Sequence, residues 1–273
     1  MQTQRFELKY ILDESTARGV RDFVFPYLEM DPFGAKQADY SYSVHSLYFD
    51  SPDLKLHHST INGERNRFKL RIRFYDQAVD APVYFEIKRR ENNAIYKQRC
   101  LVKREAVQEI MAGRLPTVDN LLHQDAENER ALSNFCQQVS LLQAKPVSHV
   151  SYRREAWHGY GDNRIRLTFD RQVMARPEPE GRLDPSLKGG ISVFGKSVIL
   201  ELKFTGRFPN WMSEMVHVFN LNQSSAAKYV DGILGMEERR ILTANTHNLK
   251  PLRLLKRRQA QAHMRTGTGI GGF

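Results

Sequence analysis

The feature that most constrains this chain is a strand-like segment with a wholly basic polar face. Between residues 67 and 74, basic and apolar residues alternate strictly: the basic set is Arg67, Lys69, Arg71 and Arg73, and the apolar set is Phe68, Leu70, Ile72 and Phe74. Successive side chains of a β-strand point to opposite faces, so one face is apolar and the other is cationic. A solvent-exposed sheet face would explain one such strand. The pattern recurs, which indicates a shared cationic surface.

A second recurring pattern places an acid and a lysine two residues apart. It occurs in Glu7-Leu8-Lys9, Glu86-Ile87-Lys88 and Glu201-Leu202-Lys203. Both charged groups of each tripeptide lie on one strand face, opposite an apolar residue. Basic residues also alternate with other residues at Arg164 and Arg166 and, less regularly, at Lys97 and Arg99.

Period-two patterning predicts eight strands, mostly antiparallel, with helical patterns between them. The predicted strands cover residues 5–12, 42–50, 67–75, 83–90, 95–102, 147–157, 164–173 and 197–204. The predicted helices cover 14–27, 104–113, 118–142, 211–221 and 226–234. Short helices between long strands indicate the α+β class. If the apolar faces pack under the helices, the sheet closes into an eight-stranded antiparallel β-barrel with a charged lumen and external helices.

Such a lumen, lined by Arg and Lys with few Glu, requires an anion because buried charges must be paired or bound to counter-ions. A chain of phosphates meets this requirement, since Arg binds phosphate oxygens in bidentate geometry and Lys acts as a point charge. The glutamates have two interpretations. Glu7 and Glu86 pair only with neighbouring lysines, or one glutamate holds a divalent cation that shares phosphate oxygens.

Eight short segments, taken in order, carry a family resemblance. They are Arg5-Phe6-Glu7-Leu8-Lys9-Tyr10, Ser46-Leu47-Tyr48-Phe49-Asp50, Leu70-Arg71-Ile72-Arg73, Glu86-Ile87-Lys88, Tyr152-Arg153-Arg154-Glu155-Ala156, Arg164-Ile165-Arg166, Glu201-Leu202-Lys203 and Ser225-Ala226-Ala227-Lys228-Tyr229. From Arg5 to Gly235 the chain resembles the vacuolar transporter chaperone (VTC) domain of the triphosphate tunnel metalloenzymes. The resemblance implies an eight-stranded antiparallel tunnel. It also implies a metal-dependent phosphotransferase that builds inorganic polyphosphate from the γ-phosphate of ATP, usually with manganese.

The resemblance also implies which residues form the site. Phosphate-binding and catalytic positions fall on Lys9, Arg71, Arg73, Lys88, Arg154, Arg166 and Lys228. Lys97 best matches one further basic position, with Arg99 as its neighbour, and Arg164 and Lys203 are additional phosphate-binding candidates. The metal-binding glutamate of the family falls on Glu201, with Mn²⁺ or Mg²⁺ as the implied cofactor.

Three functions stay open at this point. The first is a polyphosphate polymerase, whose partners are ATP and inorganic polyphosphate. The second is a module that binds polyphosphate or similar anions without turnover. The third is a triphosphatase: hydrolytic relatives carry Glu-x-Glu-x-Lys on the first strand, whereas Arg5 stands at the first of these positions here. Fewer carboxylates disfavour a two-metal hydrolase. Glu7, Glu86 and Glu201 would still suffice for one metal site.

The last segment, residues 246–273, differs from the rest in charge. The chain has a net charge of +10, and this segment holds six bases and no acid, so residues 1–245 carry only 35 − 31 = +4. We predict one domain over residues 1–245 and a basic, disordered tail over 246–273. Since the surplus lies largely in the tail, no nucleic acid partner is expected. The tail either meets anionic lipid, a membrane protein or polyphosphate, or is a solvated appendage.

Cysteine content and hydropathy favour the cytoplasm. Cys100 and Cys136 cannot form a disulfide framework, and no charged-then-apolar leader opens the chain. No apolar run approaches the ~18 residues that a membrane span needs. We therefore expect a cytoplasmic protein without a transmembrane segment, and the oligomeric state stays open.

Overall fold

A large antiparallel sheet organises the described part of the chain, residues 5–78, 80–92, 94–161 and 164–242 of a computed structural model. Its strands there are β1 (Arg5–Leu12), β2 (Leu28–Met30), β3 (Tyr42–Asp50), β4 (Asn66–Phe74), β5 (Val83–Glu91), β6 (Ala94–Val102), β7 (Lys145–Gly159), β8 (Ile165–Pro177), β9 (Ile191–Ser192) and β10 (Val198–Thr205). The eight long strands pair in the order β1-β10-β8-β7-β3-β4-β5-β6. They are the eight strands predicted from the sequence, with boundaries shifted by a few residues. The short strands β2 and β9 were not predicted.

The expected closed β-barrel is not observed. β1 and β6 form the two ends of the pairing path, and within the described residues no backbone ladder joins them. The sheet nevertheless curls until Cα atoms of β1 and β6 lie within 8 Å of each other. Lys88 Nζ on β5 lies 2.8 Å from Glu7 Oε2 on β1. A side-chain ion pair therefore spans the gap that a barrel would close with backbone hydrogen bonds.

Helices fill the connections and give the chain its α+β class. They are α1 (Glu14–Val24), α2 (Pro32–Ala35), α3 (Lys55–Ile61), α4 (Val107–Met111), α5 (Ala126–Leu142), α6 (Asn210–Val218) and α7 (Lys228–Glu238). The single helix predicted over 118–142 is wrong, because the Asp125 carboxylate accepts hydrogen bonds from the backbone N–H groups of Glu127 and Asn128. This N-cap fixes the start of α5 at Ala126.

Most helices cover the outer, apolar face of the sheet. Under α5, the rings of Phe135 and Phe85 pack with centroids 4.9 Å apart. Under α1 and α6, Val20 and Met212 are buried against strand residues such as Leu200. Burial of each large apolar side chain contributes about 1.5–3 kcal/mol. These two apolar clusters hold the sheet with its charged face inward.

The helix α7 is an exception, since it packs against the inner face. The Tyr229 ring stacks on Tyr48 with centroids 4.7 Å apart, and its hydroxyl donates to Asp50 Oδ2 at 2.7 Å. Gly232 permits the close approach, because an added Cβ would lie 3.0 Å from the Cβ of Ala175. The expectation of helices only on the outside is therefore wrong for α7, whose first turn carries groups that pair with inward-facing polar residues.

Two expectations concern the ends of the chain. The predicted domain boundary at residue 245 and the basic tail, 246–273, lie outside the described residues. In the part of the chain that the structure does describe, no helix has both the length and the apolar character needed to cross a lipid bilayer.

Candidate functional site

The inner face of the curled sheet presents two walls of unequal charge. The basic wall is formed by β4, β5 and β6, and the mixed-charge wall by β1, β10, β8 and the end of β7. The basic wall carries Lys69, Arg71, Arg73, Lys88, Lys97 and Arg99 around the carboxylate of Glu86. The mixed-charge wall carries Lys9, Arg154, Arg166 and Lys203 together with Glu7, Asp170 and Glu201. Cross-strand register produces this sorting, because directly paired residues point to the same face.

Glu86 neutralises the centre of the basic wall. Its carboxylate is buried and accepts from Arg71 Nε at 2.6 Å and from Lys97 Nζ at 2.6 Å. Burial alone would raise the pKa of Glu86, but the charges of Arg71, Arg73 and Lys97 hold it well below its usual range. Glu86 is therefore ionised at neutral pH and fixes the positions of two cations.

Two other cations of this wall lack such neutralisation. Arg73 is buried, yet its closest polar contacts are the hydroxyls of Tyr152 at 3.3 Å and Ser46 at 3.4 Å, with Glu86 at 4.0 Å. Lys69 has no ion pair with a carboxylate of the described residues, and burial together with neighbouring cations lowers its pKa to about 8. Both positions present positive charge that an anion can satisfy.

On the mixed-charge wall, cations surround Glu201. Lys203 Nζ and Lys228 Nζ each lie 2.8 Å from a carboxylate oxygen, and Lys9 Nζ lies at 3.4 Å. Arg154 Nη2 is 3.6 Å away. Burial alone would raise the pKa of Glu201, but these cations hold it well below its usual range.

Asp170 lies beside Glu201 and completes a buried ion-pair network. It accepts from Arg154 Nε and Nη2, both at 2.7 Å, in bidentate geometry. Lys228 Nζ lies 2.6 Å from Asp170 Oδ2 and so bridges Asp170 and Glu201. The Tyr152 ring covers both cations, with Arg154 Cζ at 5.0 Å and Lys228 Nζ at 4.9 Å from its centroid. Arg154, Lys203 and Lys228 are therefore paired with carboxylates without a ligand.

Glu7 connects the two walls. It lies 2.8 Å from Lys88 Nζ on the basic wall and 3.3 Å from Lys9 Nζ on its own strand. Lys9 also donates to the backbone carbonyl of Ala226 at 3.0 Å, which fixes the segment before α7. The pairing of Glu7 and Glu86 with neighbouring cations is the first of the two interpretations that the sequence leaves open.

Two cavities adjoin between the walls. The smaller, about 250 Å³, is lined by Phe6, Glu7, Tyr42, Val44, Arg71, Arg73, Tyr75, Lys88, Ile95, Lys97, Arg99, Arg154, Arg166 and Lys203. The larger, about 590 Å³, is lined by Glu7, Lys9, Thr60, Arg67, Phe68, Lys69, Lys88, Arg89, Arg90, Ile95 and residues 223–227. Both contain Glu7, Lys88 and Ile95, so they meet at the Glu7–Lys88 ion pair. We call this pair of adjoining cation-lined cavities the passage.

A comparison with known protein families identifies the family of this chain. The VTC domain model matches residues 4–236, which include all ten strands and most of α7. The chain belongs to the VTC domain family. This membership supports a polyphosphate-related or triphosphate-tunnel function.

Solved structures with a similar fold are distant in sequence. The VTC domain is similar to a putative adenylate cyclase from Bacillus halodurans, with 14% identity, 82% of this chain and 94% of that chain covered, and a TM-score of 0.46. It is also similar to the PH1819 protein from Pyrococcus horikoshii OT3, with 12% identity, coverage of 86% and 98%, and a TM-score of 0.42. No curated protein matches the chain.

The VTC domain brings most of the residues named from the sequence into this passage. Arg71, Arg73, Lys88, Lys97, Arg99, Arg154, Arg166 and Lys203 line the smaller cavity, and Lys9 and Lys88 line the larger one. Lys228 lines neither cavity, because it is buried between Asp170 and Glu201. Arg164 is exposed just before β8. Arg166 Nη2 pairs with Asp31 Oδ2 at 3.2 Å.

The sequence-based reasoning missed three parts of the site. Asp170 lies two residues after Thr168 and four after Arg166, so the same alternation places it on the inner face. Tyr152 contacts two arginines: its hydroxyl accepts a hydrogen bond from Arg73, and its ring packs against Arg154. Lys69 belongs to the basic strand pattern but was not chosen as a site residue.

The described carboxylates do not form a metal site made of protein ligands alone. In the described residues, no group of three or more His, Cys, Asp or Glu side chains is arranged to hold a metal. Glu201 offers one buried carboxylate, and its oxygens are contacted by ammonium groups. Mg²⁺ is usually held by one or two carboxylates together with substrate phosphates. A metal ion at Glu201 would therefore need most of its ligands from phosphates and would compete with the ammonium groups that contact the carboxylate.

Proposed function

We propose that this VTC domain is a polyphosphate polymerase that transfers the γ-phosphate of ATP to a growing inorganic polyphosphate chain. The observation that carries the proposal is the adjacency of the two cavities, which share Glu7, Lys88 and Ile95 and are lined by cations on both sides. A triphosphate needs only one such cavity, whereas a polymer needs a path on which its chain can lie. The passage therefore suits a long polyanion better than a single small one.

Charge distribution also favours transfer over hydrolysis. Cations outnumber carboxylates along the passage, and Glu7, Glu86, Asp170 and Glu201 are each ion-paired. Hydrolysis by two metal ions needs several carboxylates free to bind them. The passage instead offers the positive groups that stabilise charge on phosphoryl oxygens.

The transfer itself requires little covalent help from the protein. The terminal oxygen of the polyphosphate chain forms a new bond to the γ-phosphorus, while the bond from that phosphorus to the bridging oxygen breaks and ADP leaves. The attacking terminal oxygen of the polyphosphate chain is ionised near neutral pH, so no general base is assigned. Arg71, Arg73, Lys88, Arg154 and Arg166 hold the phosphates and stabilise the charge on the equatorial oxygens.

Glu201 is the residue that would hold a divalent ion, Mn²⁺ or Mg²⁺. When bound with the phosphates, such an ion neutralises phosphoryl charge. Lys203 and Lys228, which contact Glu201, keep its carboxylate ionised and in place. Substitution of Glu201 by Gln removes that charge with little change in shape.

The test is incubation of the purified protein with γ-labelled ATP and Mn²⁺, followed by gel electrophoresis of the products. We expect the label in a long, acid-labile polymer for the wild type and no polymer for Glu201→Gln. Glu155→Gln is the matched control, because Glu155 is also buried but contacts Trp157 and Arg171 on the opposite face. It should form polymer as the wild type does.

Two other outcomes would replace the proposal. Label released only as free phosphate would assign the protein as a triphosphatase. Intact ATP together with measurable polyphosphate binding would assign it as a non-catalytic binding module. The second alternative has one observation in its favour, since Glu201 is already contacted by four cations.

A further inference from the structure

The two ends of the passage differ in aromatic content. At the mouth of the smaller cavity, Tyr42, Tyr75 and Tyr84 form a row with ring centroids 6.1 Å and 5.9 Å apart. Phe33 extends the row, 6.3 Å from Tyr42, and Arg99 Cζ lies 5.3 Å from the Tyr84 ring. We call these four aromatic residues the aromatic rim. Strand register places them together, because β3 begins, β4 ends and β5 begins at this mouth.

The rim is accessible and adjoins the phosphate-binding cations. Tyr75 is 37% exposed and Phe33 is 72% exposed. Tyr42 and Tyr75 also line the smaller cavity beside Arg71 and Arg73. An aromatic surface and a cationic pocket are therefore continuous at this mouth.

The opposite mouth has no comparable aromatic surface in the part of the chain that the structure describes. Among the described residues that line the larger cavity, Phe68 is the aromatic one, and its ring is covered by the Arg89 guanidinium at 5.4 Å. The other lining groups are mainly Lys, Arg, Ser and backbone of residues 223–227. These groups bind phosphate oxygens and offer no stacking surface.

We propose that the aromatic rim binds the base of the nucleotide donor, so that ATP enters through the smaller cavity and the polyphosphate chain lies in the larger one. This inference rests on the proposed function. A nucleobase is a planar ring joined through ribose to a triphosphate, so one molecule would satisfy both the rim and the adjacent cations.

In-line transfer is compatible with this orientation. Phosphoryl transfer places the attacking and leaving oxygens on opposite sides of the phosphorus. With the base at the rim, the γ-phosphate points toward the junction at Lys88, and ADP leaves toward the smaller cavity. The attacking chain end must then approach from the larger cavity, where Lys69 has no ion pair with a described carboxylate. The two cavities thus have different substrates.

The experiment compares binding of ATP and inorganic triphosphate by isothermal titration calorimetry on the full chain. For Tyr75→Ala, we expect the Kd for ATP to rise about tenfold, as for loss of one base–aromatic stack, and the Kd for inorganic triphosphate to stay within about twofold. Tyr75→Trp should retain ATP affinity. Tyr96→Ala is the matched control, because Tyr96 is 42% exposed and lies on the outer face of β6.

Each contrary result overturns a definite statement. Equal weakening of both ligands, or of neither, in Tyr75→Ala would overturn the rim as the base site, while polymer formation would leave the proposed function standing. Conversely, if Tyr75→Ala selectively loses ATP affinity but the wild-type protein forms no polymer, the rim is supported as the base site and the polymerase proposal is overturned. Orientation has its own check: Lys69→Gln should weaken long-chain polyphosphate binding more than ATP binding, and the reverse order would overturn the assignment of the two cavities.

Discussion

The two walls of the passage both carry cations but differ in how those charges are balanced. On the mixed-charge wall, Arg154, Lys203 and Lys228 are held by Asp170 and Glu201 in a closed network. On the basic wall, Arg73 lies 4.0 Å from its nearest carboxylate partner, Glu86, and Lys69 has no ion pair with a carboxylate of the described residues. The difference indicates that the inward-facing cations have two roles, stabilisation of the fold and attraction of phosphate. The ion pairs of the mixed-charge wall help to hold the fold together before any ligand binds, and Arg73 and Lys69 of the basic wall provide the positive charge that is least satisfied without phosphate.

The largest effect on stability is expected at Asp170 of the mixed-charge wall. Asp170→Asn should lower the free energy of unfolding by about 3 kcal/mol, because removing one partner leaves buried Arg154 and Lys228 without compensation. Urea denaturation measures this change. Asp22→Asn, at an exposed carboxylate, should change it by less than about 0.5 kcal/mol. A loss below about 1 kcal/mol for Asp170→Asn would contradict the stabilising task of the mixed-charge wall.

A substitution on the basic wall should affect ligand binding more than stability. Arg73→Ala should weaken binding of inorganic triphosphate about 10- to 100-fold, the cost of one or two charged hydrogen bonds, yet change the free energy of unfolding by less than about 1 kcal/mol. Calorimetry and urea denaturation on the same samples test both statements. Arg153→Ala is the control on the outer face, where Arg153 contacts Asp39 and Ser41. If Arg73→Ala unfolds the protein without affecting affinity, the assignment of tasks is reversed.

The smallest effect expected is a dependence on pH. Burial lowers the pKa of Lys69 and of Lys203 to about 8, below the value in an unfolded chain. As pH rises from 8 to 9, the folded state loses these protons first, so the affinity for triphosphate falls several-fold while the lysine contribution to stability rises. Titration calorimetry at several pH values measures the affinity.

Lys69→Arg provides the control for this dependence, since a guanidinium does not titrate in this range. The variant should show a shallower decline in affinity than the wild type. An unchanged decline would exclude Lys69 as a source of the pH effect and would leave Lys203 and Lys97, whose pKa burial likewise lowers to about 8, as the remaining candidates.

The inner face of the sheet was predictable because period two is a local property. Arg71 and Arg73 share a face whatever the sheet does, and the same alternation reaches Asp170 from Arg166. Paired charges across strands required the register, which no single segment contains. The ion pair between Glu7 and Lys88, 81 residues apart, is the clearest case.

Helix boundaries and closure depended on distant contacts. The short helix α3 begins where Asp50 accepts from the backbone N–H groups of Leu56 and His57, both at 2.9 Å, and Asp50 in turn is held by Tyr229. Nothing in the sequence between 51 and 61 shows this contact. Likewise, alternation predicts curled, charged faces but does not decide whether β1 and β6 pair.

The open seam between β1 and β6 leaves a strand edge that other chains would otherwise extend. Exposed backbone edges promote aggregation, and charged side chains on the edge strand are a known protection against it. β6 carries exposed Lys97 and Arg99, two of the cations that face the passage. The residues that make the interior attractive to polyanions therefore also help to keep separate copies of the protein from joining edge to edge in a crowded solution.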